Sequence, residues 1–183
     1  MNSMKIFVIN PGSTSTKLAL YDGMNPVWAE SVYHPLAELA QFSRVNEQLE
    51  YRKQHVYSTL QKENIPLDFD VIIARGGLLK PTPGGVYRIT ERIKSDLWNA
   101  SMEHVSNLAA LIADDIAQRI GCPSFIADPV VTDELQDVAR LTGIPEIPRI
   151  SIFHALNSRA VSRRYAARIQ KRYEDLNIIV VHL

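Results

Sequence analysis

Three apolar runs lie within the first 33 residues, separated only by short polar turns. They cover residues 5–9, 17–21 and 27–33 and are rich in branched and aromatic side chains, a composition typical of strands. The second run ends at Asp22-Gly23, a dipeptide that favours a tight turn between strands. The chain is therefore predicted to begin with a three-stranded meander.

Strands alternate with helices in the rest of the chain. Apolar residues recur at helical spacing in residues 37–63, 91–120 and 155–173, while the short apolar runs 71–74 and 124–127 indicate buried strands. A meander followed by such alternation predicts an α/β fold, with a mixed sheet of five strands flanked by helices.

The last apolar run covers residues 177–183 and indicates one more strand. A central strand needs a continuation or a partner for its exposed edge. We therefore expect the chain to end part-way through a fold.

Charge and cysteine content exclude several classes of protein. Twenty Lys and Arg residues balance twenty Asp and Glu residues, so we expect no nucleic-acid and no membrane partner. The one cysteine, Cys122, excludes an intrachain disulfide and a thiolate zinc cluster. No apolar run approaches the roughly 20 residues that span a bilayer, and the first residues lack the pattern of a signal peptide. A cytoplasmic location is expected.

The turn between the first two strands reads Asn-Pro-Gly-Ser-Thr-Ser-Thr-Lys, from Asn10 to Lys17. Gly12 allows close approach of the backbone, and four hydroxyls and one ammonium accompany it, a set that suits phosphate oxygens. The turn is not a P-loop, because the glycine and lysine spacing differs and no helix follows. Composition alone leaves two interpretations open, a phosphate-binding turn and an ordinary polar hairpin turn.

Two charged residues directly follow predicted buried strands. Arg75 precedes Gly76-Gly77, and Asp128 precedes Pro129. Ligands of open α/β sheets collect at the carboxyl ends of strands, where an arginine suits carboxylate or phosphoryl oxygens and an aspartate suits Mg²⁺. Equally, the arginine could tie down a loop and the aspartate could begin a turn.

Two histidines lie beside predicted helix starts. His154 follows Ile152-Phe153 at a predicted strand–helix junction, where backbone N–H groups attract anions, and His104 comes just before a helix. Each is a candidate for the site or a partly buried histidine with a structural partner.

The helix after His154 is dense in cations. They are Arg159, Arg163, Arg164, Arg168, Lys171 and Arg172. Because no aromatic stacking residues or glycine-rich RNA motif accompany them, we interpret this side as a solvated helix face and not as a nucleic-acid surface.

Five segments, in this order along the chain, resemble motifs of the acetate and butyrate kinases. They are Val8–Lys17, Ala74–Leu79 with the following Pro81 and Gly84-Gly85, Glu103–Leu108, Asp128–Leu135 and Phe153–Asn157. The last two segments favour the butyrate branch over the acetate branch.

The resemblance implies an actin-like (ribonuclease H-like) fold and transfer of the γ-phosphoryl group of ATP to a short-chain carboxylate. ATP and Mg²⁺ are the implied cofactors, and a homodimer is implied for a full-length enzyme. Arg75 and His154 would stabilise the transferring group, Asp128 would orient Mg²⁺, and His104 would line the substrate pocket. No covalent intermediate is needed, because a carboxylate is itself a nucleophile and the protein mainly positions groups and neutralises charge.

The resemblance also assigns the first turn to the nucleotide. Asn10 and Ser13 would contact its phosphoryl end. The nucleotide-binding set as a whole is Asn10, Gly12, Ser13, Ser15 and Lys17.

The resemblance covers only the first half of a family enzyme. The chain ends before the glycine-rich loop that follows the last strand in the family, so we expect a first domain over residues 1–149, the start of a second over residues 150–183, and little or no activity from these residues alone. The sequence does not fix the length or branching of the acyl chain.

Two alternatives remain at the level of sequence. One is another enzyme of the actin-like fold, such as a sugar kinase or a polyphosphate phosphatase, which would use a carboxylate base. The other is a non-catalytic domain that associates through an exposed apolar strand.

Overall fold

A computed structural model describes residues 3–181 of the chain. Its centre is a mixed six-stranded sheet in the order β3-β2-β1-β4-β6-β5. The strands are β1 (Lys5–Pro11), β2 (Ser15–Asp22), β3 (Asn25–Tyr33), β4 (Val71–Arg75), β5 (Val86–Arg88) and β6 (Ser124–Ala127).

The sheet combines an antiparallel meander with a parallel centre. Strands β1, β2 and β3 pair antiparallel, whereas β4 pairs parallel with both β1 and β6. The predicted α/β class and mixed sheet are confirmed, but the prediction of five strands is wrong. The sixth, β5, has three residues and pairs antiparallel with β6, so it is too short to show an alternating pattern and lies in a stretch rich in proline and glycine.

Six α-helices occur within the described part of the chain. They are α1 (Leu36–Leu39), α2 (Gln48–Lys62), α3 (Glu91–Trp98), α4 (Asn107–Ile120), α5 (Asp137–Arg140) and α6 (Ala155–Arg168), with 3₁₀ turns at Val45–Glu47 and Tyr173–Asp175. The predicted helix over residues 37–63 is interrupted. The amides of Ser43 and Arg44 donate to the Glu47 carboxylate, which caps the start of the second helical segment.

The hydrophobic core lies between the sheet and helices α2 and α4. Phe7, Ile9 and Ile72 contribute side chains from the strands, and all three are fully buried. Helix α4 carries an apolar face formed by its alanine and isoleucine residues and packs on β1, β4 and β6. This packing fixes the carboxyl ends of the parallel strands, where the candidate site lies.

The predicted last strand is not formed. Residues 176–181 have no regular secondary structure, and His182 and Leu183 lie outside the described residues. A strand requires hydrogen bonds to a neighbouring strand, and none of the described strands lies beside this segment. No helix within residues 3–181 is long and apolar enough to cross a membrane.

Candidate active site

Three polar side chains form a row across adjacent strands at one edge of the sheet. Asn10 on β1 lies directly opposite Lys17 on β2, and Ile9 lies opposite Ala74, so Arg75 ends β4 beside Asn10. The Arg75 guanidinium lies 3.5 Å from the Asn10 side-chain oxygen, the outer limit of a hydrogen bond. The register of the sheet therefore brings together two predicted nucleotide-binding residues and the predicted catalytic arginine.

The two glycines after Arg75 permit close packing below the arginine. A Cβ at Gly76 would lie 2.5 Å from the Pro129 side chain, and one at Gly77 would lie 2.5 Å from the Asn107 side-chain oxygen. That oxygen accepts the amide N–H of Leu78 at 2.8 Å, while Asn107 also donates to the Met102 carbonyl. The start of α4 thus holds the loop that carries Arg75.

Arg75, His104 and His154 line one cavity of about 210 Å³. Its other walls are mainly apolar. They are Leu78, Met102, Val130, Ile152 and Phe153. The amide of Phe153 donates to the Val130 carbonyl at 2.9 Å, which brings the segment before α6 to the end of β6. A cavity with cationic and imidazole groups beside an apolar wall suits a small molecule that has one anionic and one apolar end.

A second cavity of about 370 Å³ adjoins the first. The two share Leu78, Met102 and Ile152 in their walls. Val130 lines the smaller cavity and its neighbour Val131 lines the larger one. Val130 and Val131 therefore line different cavities, although they are neighbours in the sequence.

His104 is fixed in one tautomer by its neighbour. Its Nδ1 accepts the amide N–H of Ser106 at 3.2 Å and lies 2.7 Å from the Ser106 hydroxyl. Burial, together with the positive charges of Arg75 and His154, lowers the pKa of His104 below its ordinary value. The neutral ring therefore carries its proton on Nε2, where it is available as a hydrogen-bond donor.

His154 is placed as predicted relative to its helix but not relative to a strand. It is the N-cap residue of α6, whereas the preceding residues 149–153 are not a strand. Hydrogen bonds of that segment to the loop after β6, such as Ser151 Oγ to the Thr132 carbonyl at 2.7 Å, replace strand pairing.

The predicted phosphate-binding turn is a tight hairpin over residues 12–14. The amide of Gly12 donates to the Ser15 carbonyl, and Ser13 and Thr14 are exposed. Beneath the hairpin lies Arg52 of α2, which is fully buried. Burial lowers the pKa of Arg52 to about 10, so this guanidinium keeps its charge at neutral pH.

Asp128 is engaged by an arginine of α6. Its Oδ1 accepts a hydrogen bond from the Gly85 amide at 2.9 Å and one from Arg159 at 2.6 Å. Arg159 also donates to Glu134. The prediction that the cationic side of α6 is a solvated face is therefore wrong for Arg159, whose side chain is 20% exposed, although Arg163, Arg164 and Arg168 are exposed as predicted.

No family model matches the chain, but individual proteins do. A probable butyrate kinase from Phocaeicola vulgatus is 67% identical over 180 residues, which are 98% of this chain and 51% of that protein. Butyrate kinase 2 from Clostridium acetobutylicum is 46% identical over 98% of this chain and 51% of that protein.

The chain resembles butyrate kinases over nearly its whole length. It spans about half the length of the curated relatives it matches. The resemblance that the five motifs predicted is thereby confirmed.

Solved structures agree on the fold. Acetate kinase from Porphyromonas gingivalis superposes with a TM-score of 0.60 at 14% identity, over 93% of this chain and 50% of that one. Acetate kinase from Entamoeba histolytica gives 0.56 at 12% identity, over 90% of this chain and 46% of that one. The chain therefore has the expected actin-like fold, as found in half of an acetate kinase.

The residues expected from the butyrate kinase motifs are brought together only in part. Arg75, His104 and His154 share a cavity, and Asn10 adjoins Arg75. Asp128 lies one residue past the end of β6, bound to Arg159. The motifs gave no indication of Arg52 or Arg159. A signal for Arg52 does exist in the sequence, because it stands four residues before Val56 on the face of α2 that carries Leu60.

Proposed function

We propose that this chain forms the carboxylate- and phosphoryl-binding part of a butyrate kinase. The reaction joins a carboxylate oxygen of butyrate, or of a close branched relative, to the γ-phosphorus of ATP. The bond from that phosphorus to its bridging oxygen breaks, and ADP leaves. The observation that carries the proposal is the cavity in which Arg75, His104 and His154 face an apolar wall.

The cavity suits both ends of a short-chain carboxylate. The guanidinium of Arg75 binds the carboxylate or an equatorial phosphoryl oxygen through two N–H groups. Leu78, Val130 and Phe153 contact the alkyl chain. The cavity of about 210 Å³ has room for a short alkyl chain.

The imidazoles act on charge that develops during transfer. The transition state of phosphoryl transfer is loose, so catalysis depends on positioning and on neutralising the equatorial oxygens. His104 donates from Nε2, the nitrogen that the Ser106 contact leaves protonated. His154 lines the same cavity and contributes there, and neither imidazole needs to form a covalent bond.

The phosphoryl end of ATP is assigned to the hairpin of residues 12–14 and its flanking residues. The assigned residues are Asn10, Gly12, Ser13, Ser15 and Lys17. Ser13 is exposed at the tip of the hairpin, while Asn10 and Lys17 stand opposite one another beside Arg75. This arrangement supports an orientation of bound ATP in which the γ-phosphoryl group points toward the cavity.

Mg²⁺ is compatible with Asp128 as a single protein carboxylate. Within residues 3–181 no group of three or more His, Cys, Asp or Glu side chains could hold a metal ion. Mg²⁺ keeps several waters and uses one or two carboxylates together with substrate phosphates. Asp128 would supply such a ligand through Oδ2, because its Oδ1 accepts from Gly85 and Arg159. When bound, the ion would neutralise phosphate charge, and Asp128 would orient it.

Acyl phosphate formation tests the proposal directly. The chain would be joined to the part of the Phocaeicola vulgatus relative that it does not match, and ATP, Mg²⁺ and butyrate would be supplied. We expect acyl phosphate, trapped with hydroxylamine, and a loss of roughly a hundredfold or more in kcat/KM for Arg75→Ala.

Arg92→Ala is the matched control, because Arg92 is exposed on α3 and, among residues 3–181, pairs only with Asp96. It should change kcat/KM by no more than about twofold. If Arg75→Ala keeps wild-type kcat/KM with every carboxylate, the proposal is wrong. That result would favour an enzyme of the same fold that uses a carboxylate base.

Assembly and location stay predictions. We propose the homodimer that the resemblance implies for a full-length enzyme, the cytoplasmic location expected from the sequence, and the domain boundary near Arg149.

A further inference from the structure

Arg52 is a buried cation without a carboxylate partner within the described residues. Its guanidinium instead donates to neutral oxygens. Nη1 donates to the Gly12 carbonyl at 3.0 Å and Nη2 donates to the Ser13 carbonyl at 2.9 Å. Weaker contacts join Nη1 to the Ser15 carbonyl at 3.4 Å and to Thr16 Oγ1 at 3.3 Å. One arginine thus binds the whole hairpin from beneath.

These contacts fix the direction of the hairpin amides. In a trans peptide the C=O and the next N–H point in opposite directions, and the described chain has no cis peptide. Since the carbonyls of Gly12 and Ser13 point toward Arg52, the N–H groups of Ser13 and Thr14 point away from it. Neither amide donates to another group within residues 3–181. Two adjacent, outward N–H groups form the kind of concave site that binds anions.

A second chain of hydrogen bonds holds the far strand of the hairpin. Thr16 Oγ1 accepts from Arg52 and lies 2.8 Å from His34 Nε2. The threonine hydroxyl therefore joins the arginine of α2 to the histidine that follows β3. The amide of His34 donates to the Thr14 carbonyl at 2.9 Å, which ties β3 to the same turn.

We propose that Arg52 is a positioning residue for phosphate binding by the hairpin. It never touches the ligand, since the hairpin lies between them. Its charge holds the carbonyls inward, and the amides of Ser13 and Thr14 thereby face the phosphoryl group. This inference rests on the proposed function, which assigns that group to the hairpin.

Amide signals of the ¹⁵N-labelled chain, titrated with ATP and separately with inorganic phosphate, test the inference. In the wild type, the Ser13 and Thr14 amides should shift on addition of ATP. Arg52→Met should change the ligand-free signals of residues 12–15 and weaken ATP binding roughly tenfold or more, the effect of losing one charge-assisted interaction. The ATP affinity of Arg52→Lys should lie between those of the wild type and Arg52→Met. An ammonium keeps the charge but lacks the planar guanidinium that contacts two carbonyls.

Leu60→Ala separates positioning from stability. Leu60 is buried on the same face of α2, two turns further along, so its truncation destabilises the helix without touching the hairpin. It should keep wild-type ATP affinity. The inference is overturned if Arg52→Met leaves the hairpin signals and ATP affinity unchanged, or if Leu60→Ala weakens binding equally.

Two further results are informative. Should Arg52→Met fail to fold, wild-type ATP affinity in Arg52→Lys would itself contradict the inference. If the hairpin amide signals of the wild type do not shift on addition of ATP, the assignment of the phosphoryl end of ATP to the hairpin is wrong. The ligand-free signals of Arg52→Lys would then still decide whether Arg52 positions the turn.

Discussion

The Asp128 carboxylate accepts a hydrogen bond of 2.6 Å from the Arg159 guanidinium, joining the end of β6 to α6. The two side chains are 12% and 20% exposed. Arg159 also contacts Glu134, which is 54% exposed. Arg159 therefore makes one largely buried ion pair, with Asp128, and one more exposed ion pair, with Glu134. The strengths of the two ion pairs can be compared within the same protein.

We expect a coupling free energy of about 1–3 kcal/mol between Asp128 and Arg159. The pair between Glu134 and Arg159 should give less than about 1 kcal/mol, because water screens it. Double-mutant cycles with Asp128→Asn, Glu134→Gln and Arg159→Gln, followed by urea unfolding, measure both. Equal coupling free energies in the two cycles would contradict the expectation that the more buried ion pair is the stronger one.

His34 should make folding stability depend on pH. Burial, the Arg52 charge and His55 lower its pKa to about 4, against a smaller opposing effect of Glu38. The unfolded chain takes up a proton near pH 6.5 and the folded chain only near pH 4. Stability is therefore complete above pH 6.5 and falls by on the order of 2–3 kcal/mol as the pH drops toward 4.

Unfolding free energies of the wild type and of His34→Gln, compared between pH 7 and pH 4, check this expectation. Glutamine keeps a polar side chain that can hydrogen-bond to the Thr16 hydroxyl, but it does not titrate. The variant should have the flatter profile in this range. Parallel profiles would show that other groups set the pH dependence.

Gly76→Ala should disturb the loop that carries Arg75. Its methyl group would lie 2.5 Å from Pro129 Cβ and 2.9 Å from Pro129 Cα, so one backbone must move. We expect a loss of about 1–3 kcal/mol in the free energy of unfolding and weaker butyrate binding, measured by calorimetry. Gly143→Ala is the control, since nothing lies within 4 Å of its added Cβ.

Val130→Ala should change the preferred carboxylate, because this side chain lines the cavity beside Arg75. The added space should raise kcat/KM for valerate relative to butyrate by on the order of tenfold in the joined enzyme described above. Val131→Ala removes the same atoms beside the neighbouring cavity and should leave the ratio unchanged. A shift of similar size in both variants would assign the acyl chain to the shared region and not to the smaller cavity.

Strong local patterns predicted much of the fold. Strands β1, β2, β4 and β6 were identified because their apolar runs end at clear turn residues. The parallel pairing of β1 with β4 places Arg75 near Asn10, and motif resemblance adds His104 and His154. Arg75, His104 and His154 line one cavity only because the fold brings distant segments together. A local sequence pattern carries no information about such distances.

The missed features depend on contacts between distant segments. Arg52 stands among charged residues of an amphipathic helix, where solvent exposure is the usual outcome, and its partners in the hairpin lie 36 to 40 residues earlier. Arg159 is one of several cations on its helix, where exposure is the usual outcome, and its partner Asp128 lies 31 residues earlier. The predicted strand over residues 177–183 failed for the opposite reason, since an apolar run indicates a strand only where a neighbouring strand exists.

The buried guanidinium of Arg52 also constrains the order in which the protein folds. The hairpin between β1 and β2 closes over a short loop and forms early. Helix α2 comes later in the sequence, and docking it before the hairpin carbonyls are in place would bury a charge without partners, at a cost of several kcal/mol. We therefore expect the hairpin to form first and to act as the template on which α2 docks.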